Sequence, residues 1–418
     1  MAYQSNIAYI LPRFPVLTQT FVLYEILALQ EGGISIDVFP LLRERPKVLH
    51  PEVKQLVEEA HYHGAMSPKV LLANLTFVAR RPRTYFRTLL EVVRGSWKSW
   101  KYLLGGLAMF PKSVLFAIEI QKRGITHIHA HFSNHSALSA LVVHRLSGIP
   151  FSFTAHGSDL HIDRCMLRQK VDAAVFVVAI SEYNRRMIVQ ESGPEAGAKV
   201  HVIHCGIDMT FFKPVSERRQ DGALGIVCVG SLLEVKGHTY LIEACRQLRN
   251  SGVKFYCHLV GDGPLRPELQ RQIEKASLRD KVLMRGALPR TEVLELLRGS
   301  DVIVQPSVQT AAGSREGIPV ALMEGMALGL PAVASRLSGI PELVEHGKSG
   351  LLVAPRNSGE IAEALCTLAA DPDLRGRLGR AGREKVGREF DLRMNAAIFS
   401  RLLTSSSGAV MAEAAETA

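Results

Sequence analysis

Two glutamates, Glu316 and Glu324, lie eight positions apart in the stretch SREGIPVALMEG, which is otherwise largely apolar. An ionised carboxylate in apolar surroundings is unfavourable unless it is paired or bound. Pro319 fits the first turn of a helix, where its missing N–H costs nothing, so we predict a helix from Pro319 to about Leu328. Glu324 would then lie about 7–8 Å inside that helix, at roughly 1.5 Å per residue.

The start of this predicted helix offers unpaired backbone N–H groups between the two carboxylates. Such groups form a site for an anion such as a pyrophosphate. A carboxylate accepts two hydroxyl hydrogen bonds well, so Glu324 is a candidate for the vicinal hydroxyls of a ribose and Glu316 for a sugar on the other side. The spacing alone leaves equally open that Glu316 is a solvated loop residue and Glu324 a salt-bridged helix residue.

The composition is that of a globular chain long enough for two domains. It has 418 residues, of which 47% are hydrophobic and 22% charged. Its six cysteines show no CxxC pair and no metal-type spacing, so we expect buried, reduced thiols in a cytosolic protein. The N-terminus lacks the pattern of a signal peptide, and we expect no run close to the roughly 18 apolar residues of a membrane span. The chain is therefore predicted to be soluble or peripheral.

Short apolar segments alternate with helical patterns, which predicts parallel sheets built from βαβ units. In the first half the strand candidates are IAYIL, ISIDVFPL, THIHAHF, PFSFTAHG, AAVFVVAIS and KVHVIHCGI. A second alternation begins at LGIVCVGSL, after a polar, turn-rich stretch. The predicted fold class is α/β, with two Rossmann-like doubly wound domains facing across a cleft. In such folds, ligands bind in the loops that follow the carboxyl ends of the strands.

The same patterns predict the domain boundaries. We expect an N-terminal domain over residues 1–212, a linker at 213–222 and a second domain over 223–386. Residues 387–403 are predicted to form a C-terminal helix that crosses back to the first domain. Residues 404–418 are small and polar and are expected to form a flexible tail.

The stretch QPSVQTAAGSREGIPVALMEGMALGLPAVASRLSGIPELVEHGKSGLLVAP resembles the signature of the retaining glycosyltransferases of family 4, with Glu316 to Glu324 as its E-x7-E motif. VGSLLEVKG, LVGDGPLR and VLMRG follow the family order, and the resemblance covers nearly the whole chain. It implies the GT-B fold and retaining transfer of a sugar from a nucleotide diphosphate sugar, with no metal or other cofactor. FPVLTQTFVLYEI and HAHFSNHSALSA further resemble the subgroup that builds bacterial exopolysaccharides of the colanic-acid kind.

The resemblance also implies roles for individual residues. Glu316, His156 and Lys236 would act at the reacting sugar and its phosphates. The implied donor-binding residues are Glu324, Ser231, Gly317, Ile318, Pro319, Val320, Arg285, Gly286 and Gly261. The implied acceptor-side residues are Thr18, Gln19, Thr20 and His131. For His156, which follows an apolar strand, the alternative is a strand-end histidine satisfied by backbone groups.

Two positions depart from the family pattern. Ser231 stands where the family often has the arginine of an Arg/Lys phosphate pair, and only Lys236 of that pair is kept. The candidates for the second cation are Arg285, Arg266 and Arg315. Gln19 replaces the acid of the usual FPxxSETF start, which affects the expected acceptor contacts.

Two patterns in the sequence are formally compatible with metal binding, and we interpret neither as a metal site. His127, His129 and His131 alternate along one strand and share one face, but no acid or cysteine accompanies them in the sequence. We expect packing and hydrogen-bonding roles for His127 and His129, substrate contact for His131, and no metal site. The formal DxD at Asp371 to Asp373 follows a helix and is interpreted as a turn.

Positive charge is concentrated in one segment. The chain has a net charge of +10, and residues 80–123 hold ten Lys or Arg against two Glu, together with Trp97 and Trp100. The arginines near helical spacing are Arg80, Arg83, Arg87 and Arg94. A basic helix with aromatic and aliphatic residues on another face is typical of an interfacial membrane helix, so an anionic membrane is the expected partner, at the cytoplasmic face. The alternative is a basic outer face over an ordinary core helix. No recognition motif supports nucleic acid.

Two other functions remain open from the sequence. One is another GT-B enzyme, such as a nucleotide-sugar epimerase or a phosphorylase. The other is a non-catalytic basic protein that binds lipid or nucleic acid, and this function leaves Glu316, Glu324 and Lys236 unexplained.

Overall fold

The chain divides into two compact units. The computed structural model describes residues 5–16, 19–45, 52–214 and 222–416. Unit 1 comprises Met1–His204 and Arg393–Ala418, and unit 2 comprises Cys205–Leu392. The division falls before the linker predicted at 213–222, most of which lies outside the described residues.

Unit 1 contains a six-stranded sheet whose paired strands all run parallel. Its strands are β1 (Ser5–Phe14), β2 (Ile34–Arg43), β3 (His127–His131), β4 (Phe151–Ala155), β5 (Val177–Ala179) and β6 (Val200–Val202). The strand order is β2-β1-β3-β4-β5-β6. The chain therefore reverses its direction of progression between β1 and β3, and a ligand crevice is expected at the carboxyl ends of strands beside such a switch point.

Helices flank this sheet. They are α1 (Thr20–Glu31), α2 (Val53–Glu59), α3 (Pro68–Arg80), α4 (Pro82–Ser96), α5 (Trp100–Lys122), α6 (His135–Ser147), α7 (Ser158–His161), α8 (Leu167–Ala173) and α9 (Glu182–Ser192). Helix α1 shows the cause of the arrangement, because Val22, Ile26 and Leu29 recur at helical spacing and are buried. It ends at Gly32, and Gly33 follows in a left-handed conformation.

Unit 2 repeats the architecture with a second six-stranded parallel sheet. Its strands are β7 (Leu224–Val229), β8 (Phe255–Val260), β9 (Val282–Gly286), β10 (Val302–Gln305), β11 (Ala332–Ser335) and β12 (Gly350–Val353). Its helices are α10 (His238–Asn250), α11 (Arg266–Lys275), α12 (Arg290–Arg298), α13 (Val320–Ala327), α14 (Ile340–Leu343), α15 (Ser358–Ala370) and α16 (Pro372–Glu389). The order β12-β11-β10-β7-β8-β9 puts the switch point between β10 and β7.

The predicted α/β fold with two parallel, doubly wound sheets is confirmed. The last helix, α17 (Leu392–Glu416), contributes Ala396, Phe399 and Leu403 to a core cluster of unit 1.

Asp371, the first residue of the formal DxD, accepts a hydrogen bond from the backbone N–H of Leu374 at 2.8 Å and caps α16. The DxD is therefore a helix start that follows no strand.

The basic segment differs from its prediction in two ways. Helix α3 ends at Arg80 and α4 begins at Pro82, so Arg80 does not share a helix with Arg83. Proline at the first helical position begins a new helix rather than continuing the old one. Helix α5 has 23 residues, and its most apolar 18-residue window has a mean hydropathy of 1.6, so by length and composition it could cross a membrane. The expectation of no such run was therefore wrong.

Half of that apolar window of α5 is buried inside the protein. Phe110, Val114 and Ile120 belong to the main core cluster of unit 1. Lys112, inside the window, is buried, and its ammonium donates to the carbonyl oxygen of Leu41 at 2.6 Å. These contacts are those of a core helix of a globular domain.

The cysteines are all free. Cys228, Cys245 and Cys257 are buried, as expected, but Cys165, Cys205 and Cys366 are only partly buried.

Candidate functional site

The loops that follow β7 and β10 meet at the switch point of unit 2. After β7 the chain forms a short 3-10 helix, Glu234–Lys236, and then Gly237 at φ +70°. A Cβ atom on Gly237 would lie 1.9 Å from the carbonyl oxygen of Pro306, which follows β10. Only glycine fits both the left-handed backbone and this approach, so Gly237 holds the two loops together.

Glu316 and Lys236 form an ion pair in this crevice, although 80 positions separate them. The other oxygen of Glu316, Oε2, accepts hydrogen bonds from Ser307 Oγ at 2.9 Å and Gln305 Nε2 at 3.4 Å. The side chains of Glu316 and Lys236 are only 13% and 16% exposed. Glu316 is therefore not a solvated loop residue, and two predicted site residues lie in direct contact.

The helix that follows starts one residue later than predicted. Pro319 is the N-cap, with ψ 124°, and α13 begins at Val320, because the first helical hydrogen bond runs from the N–H of Leu322 to Pro319 O. Among the described residues, no backbone bond uses the N–H groups of Val320 or Ala321. Free N–H groups at a helix start carry partial positive charge and attract anions.

Ile318 and Pro319 are buried at this helix start, and Gly317 is partly exposed. Glu324 lies one turn further on. Burial raises the pKa of its carboxyl to about 7, although the charge of Arg290 acts in the opposite direction. Within the described part of the chain its carboxylate has no ion pair, so the salt-bridged alternative for Glu324 does not describe this structure.

The remaining donor-side candidates also lie at carboxyl ends of strands. Ser231 follows β7, Gly261 follows β8 and Gly286 ends β9. Gly261 has φ +140°, and a Cβ atom there would lie 2.0 Å from Gly230 O. Its N–H donates to the carbonyl oxygen of Gly286 at 2.8 Å. These loops approach each other so closely that side chains are excluded, which leaves backbone groups facing the crevice.

The candidates for the second cation have different surroundings. Arg285 is exposed, and its Nε donates to His258 Nδ1 at 3.2 Å. Nη1 of Arg266 lies 3.9 Å from Oδ1 of Asp262. Arg315 precedes Glu316 in the chain and is partly buried.

The predicted acceptor-side residues belong to unit 1. Gln19 is the N-cap of α1 without a side-chain capping bond, and Thr20 begins that helix. Thr18 lies outside the described residues. His131 ends β3, and His156 directly follows the neighbouring strand β4.

His131 and His156 are buried and in contact. Nδ1 of His131 lies 2.9 Å from Nε2 of His156. Nε2 of His131 lies 3.1 Å from Oε1 of Glu25, and the same oxygen accepts a hydrogen bond from the Tyr9 hydroxyl at 2.8 Å. The expectation that no acid accompanies these histidines was therefore wrong, because α1 brings Glu25 to β3 across 106 positions of sequence.

Glu25, His129 and His131 are close enough to hold a metal ion, since their potential ligand atoms all lie within 4.8 Å of one another. Both nitrogens of His129, however, have hydroxyl partners, at 2.8 Å from Ser152 Oγ and 3.0 Å from Thr154 Oγ1. The chemistry of this cluster is thus that of a hydrogen-bond network. His127, whose Nε2 lies 2.7 Å from Ser152 Oγ, is buried in the same network.

Sequence reasoning missed Glu25, Tyr9, Gln305 and Ser307. For Gln305 and Ser307 a signal existed, because QPS closes an apolar strand at the carboxyl end, where side chains face the crevice. For Glu25 the sequence shows only an acid on an amphipathic helix.

The family described as Glycosyltransferase Family 4 matches residues 18–211, and the family described as Glycosyl transferases group 1 matches residues 210–385. The chain belongs to the family 4 glycosyltransferases. A colanic acid biosynthesis glycosyltransferase, WcaL of Salmonella typhimurium, whose assignment is putative by its own description, is 30% identical over 409 residues, covering 92% of this chain and 96% of the relative.

The protein described in the same words from Escherichia coli K12 is 43% identical over 194 residues, and this match spans about half of each chain (46% and 48%). Among solved structures, the glycosyltransferase shares its fold with HepE of Anabaena in complex with UDP, at a TM-score of 0.72 and 18% identity over 96% of this chain and 100% of that one. The predicted resemblance to the exopolysaccharide glycosyltransferases and the predicted GT-B fold are confirmed.

Proposed function

We propose that this glycosyltransferase transfers a hexose from a nucleotide diphosphate sugar to a hydroxyl of a glycan or lipid-linked acceptor, with retention of anomeric configuration, in the synthesis of a bacterial exopolysaccharide. The observation that carries the proposal is the crevice of unit 2. There the Lys236–Glu316 pair lies beside the start of α13, and Glu324, which has no ion pair among the described residues, lies one turn further on. The relatives named for colanic acid synthesis support the acceptor class.

In this proposal the diphosphate binds to the N–H groups at the start of α13 and to Lys236. Glu316 accepts hydrogen bonds from hydroxyls of the transferred sugar, and Glu324 accepts them from the ribose. Negative charge grows on the diphosphate as its bond to the sugar breaks. Fixed donors aimed at that charge lower the barrier because they need no reorganisation during the reaction.

Retention follows from attack on the face that the leaving group occupies. The bond from the anomeric carbon to the phosphate oxygen breaks, the bond to the acceptor oxygen forms, and the departing phosphate takes the acceptor proton. Because Lys236 and the helix amides supply the positive charge, we propose that the reaction needs no divalent metal.

The test uses the full-length chain and a panel of nucleotide sugars. A ligand that binds the folded state raises the apparent melting temperature, so thermal shift identifies the donor. NMR of the product then gives the anomeric configuration. A product with the donor's configuration supports the proposal, and an inverted product contradicts retention. Conversion of the donor alone to an epimer would favour the other GT-B enzymes.

Chelation tests the metal-free step separately. Turnover should be unchanged in EDTA. Loss of turnover in EDTA that Mg²⁺ or Mn²⁺ restores would contradict the roles proposed for Lys236 and α13.

We further propose that the enzyme works as a peripheral protein at the inner face of the cell membrane, docked through α3, α4 and α5. Large apolar side chains are exposed on these helices and between them. They are Leu71, Leu72, Leu75, Phe86, Leu90, Trp97, Trp100, Leu104 and Leu107. Trp97 and Trp100 are 76% and 66% exposed. Aromatic and aliphatic groups of this kind partition into the interfacial region of a bilayer.

Cations lie next to these apolar groups. Arg83, Arg87 and Arg94 line a cleft of about 660 Å³ together with Arg145 and Leu90. Arg145 is held by Glu91 in two hydrogen bonds of 3.1 Å. The other three arginines have no ion-pair partner among the described residues. We propose that they bind the phosphates of an anionic membrane surface, where each cation adds about 1 kcal/mol of attraction.

Co-sedimentation with vesicles containing anionic lipid, at low and high salt, tests the docking. Changing Arg83 and Arg87 to Glu should abolish binding at physiological salt and leave donor binding in unit 2 unchanged. The matched control makes the same charge change at the exposed Arg271 and Arg380 of unit 2 and should keep vesicle binding. If the wild type ignores anionic vesicles even at low salt, the docking proposal is wrong.

A further inference from the structure

A cleft on unit 1 is formed by one face of helix α4 together with Arg145 of helix α6. Its volume is about 660 Å³, which is typical of a site for a small molecule. Four arginines and one glutamate line it, so its net charge is +3. We name it the arginine cleft, and its charged residues are Arg83, Arg87, Glu91, Arg94 and Arg145.

The spacing along α4 explains why its three arginines share this face. Arg83, Arg87 and Arg94 are four and seven positions apart, so at 3.6 residues per turn they lie within about 40° of one another around the helix axis. They extend over about 16 Å of that axis, at roughly 1.5 Å per residue. Like charges four residues apart destabilise a helix, and an anion bound between them offsets this repulsion.

The acid in the cleft does not neutralise these three arginines. The two carboxylate oxygens of Glu91 accept hydrogen bonds from Nε and Nη2 of Arg145, at 3.1 Å each. This bidentate pair ties α6 to α4 and cancels the charge of Arg145. Within the described residues, Arg83, Arg87 and Arg94 form no ion pair, and all three are exposed. The cleft therefore offers three uncompensated guanidinium groups to a ligand.

Each of these arginines is followed, three positions later, by a large apolar side chain. The three side chains are Phe86, Leu90 and Trp97, and they are 55%, 45% and 76% exposed. Trp97 directly follows the last residue of α4 and keeps a helical backbone, and Leu90 lines the cleft itself. Residues three apart are neighbours on a helix surface. A ligand that matches both stripes carries concentrated negative charge and an attached apolar chain.

Charge and geometry favour a diphosphate over a single phosphate. A guanidinium group donates two parallel N–H bonds to phosphate oxygens, and three such groups offer more donors than one phosphodiester accepts. The phosphodiester of an ordinary anionic lipid carries one negative charge, whereas a diphosphate esterified at both ends carries two on adjacent groups. The second phosphate therefore supplies acceptors that a single phosphodiester lacks.

We propose that the arginine cleft is a discrete site for the diphosphate headgroup of a lipid, whose hydrocarbon chain lies along Phe86, Leu90 and Trp97. The inference deepens the proposed membrane docking and lipid-linked acceptor, and it rests on them. It makes a separate claim, because general attraction to an anionic surface depends on charge, whereas a discrete site depends on the headgroup and on the paired N–H groups of arginine.

Co-sedimentation of the full-length protein with two kinds of phosphatidylcholine vesicle tests this claim. One kind contains a prenyl diphosphate, and the other contains phosphatidylglycerol at the same total surface charge. The wild type should bind the diphosphate vesicles on the order of tenfold more tightly, the effect of about one additional charge-assisted hydrogen bond. Equal binding to both kinds would show attraction by charge alone and would overturn the proposal.

Substitutions that keep the charge locate the site. The double variant Arg83→Lys, Arg87→Lys retains both positive charges but loses the paired N–H groups. Its preference for diphosphate vesicles should fall below about threefold, while its binding to phosphatidylglycerol vesicles stays unchanged. Arginine and lysine have similar helix propensities, so its melting temperature should match the wild type.

The matched control is Arg271→Lys, Arg380→Lys, at exposed positions of unit 2, which should keep the full preference. If the preference survives in the variant of Arg83 and Arg87, the diphosphate binds elsewhere and the proposal is overturned.

Tryptophan fluorescence tests the apolar half of the site. The chain has two tryptophans, so in a Trp100→Phe variant the tryptophan emission comes from Trp97. This emission should shift to shorter wavelength when diphosphate vesicles are added, and brominated lipid should quench it. An emission that does not change on binding would show that the lipid chain does not lie along α4 and would overturn this part of the proposal.

Neither measurement requires sugar transfer. If the headgroup preference is found but no nucleotide sugar is turned over, the proposed function fails and the lipid diphosphate site stands. If sugar is transferred but the preference is missing, the proposed function stands and the lipid diphosphate site is refuted.

Discussion

Replacing Glu324 with Gln should remove both the strength and the pH dependence of nucleotide-sugar binding. The carboxyl of Glu324 has a pKa of about 7 in the free protein because it is buried. Ribose hydroxyls donate hydrogen bonds, so the ionised carboxylate is the form that binds them.

The magnitude follows from this pKa. Affinity for the ligand falls as the acid becomes protonated, and the dissociation constant scales with the reciprocal of the ionised fraction. That fraction is about 0.9 at pH 8 and about 0.1 at pH 6 for a group with a pKa near 7, so wild-type affinity should fall roughly tenfold between these values. Glutamine replaces charge-assisted bonds by neutral ones, which costs about 1–1.5 kcal/mol, or roughly tenfold, at pH 8.

The two proteins should therefore differ about tenfold at pH 8 and converge near pH 6. Isothermal titration calorimetry with an intact nucleotide sugar measures this, because its esterified diphosphate does not titrate in that range. The control is Glu295→Gln at a position that is 70% exposed in unit 2, and its pH profile should match the wild type. Equal affinity of wild type and Glu324→Gln at pH 8 would refute the ribose role, and a wild-type affinity independent of pH would refute the protonation argument.

Three further outcomes are expected. Glu316→Gln should lower turnover on the order of 10²-fold, with nucleotide affinity changed less than about threefold. Wild-type kinetics in this variant would show that Glu316 has only a structural role. Gly237→Ala should lower the free energy of unfolding more than Gly252→Ala. Both glycines have a left-handed backbone, with φ +70° and +74°, which alone costs about 1–2 kcal/mol, but only at Gly237 would the added Cβ lie 1.9 Å from a backbone oxygen. Equal urea denaturation midpoints of the two variants would contradict the close approach. Burial lowers the pKa of Lys170 from 10.5 to about 7, so between these pH values the unfolded chain binds one more proton than the folded protein. The free energy of unfolding of the wild type relative to Lys170→Met should therefore rise with pH across that window, by at most ~1.4 kcal/mol per pH unit. A difference that does not change with pH would show that the buried ammonium stays protonated.

The alternation of short apolar segments with helical patterns was enough to predict the α/β fold with two parallel sheets. Strand β4 was predicted within PFSFTAHG and occupies Phe151–Ala155, because a short apolar run with turn residues on both sides has few other stable arrangements. The E-x7-E motif was visible for a related reason, since both glutamates belong to one local segment. Local periodicity and the preferences of proline and glycine carry this information, and they do not depend on the rest of the chain.

Contacts between distant segments depended on the tertiary structure. Lys236 meets Glu316 across 80 positions, and Glu25 meets His131 across 106, because the strand order of each sheet brings unrelated loops to one switch point. No local pattern records strand order, which is decided by how helices and strands bury their apolar faces together. Helix α5 shows the same limit, since its composition suits a membrane as well as a core, and only packing shows that half of its apolar window is buried.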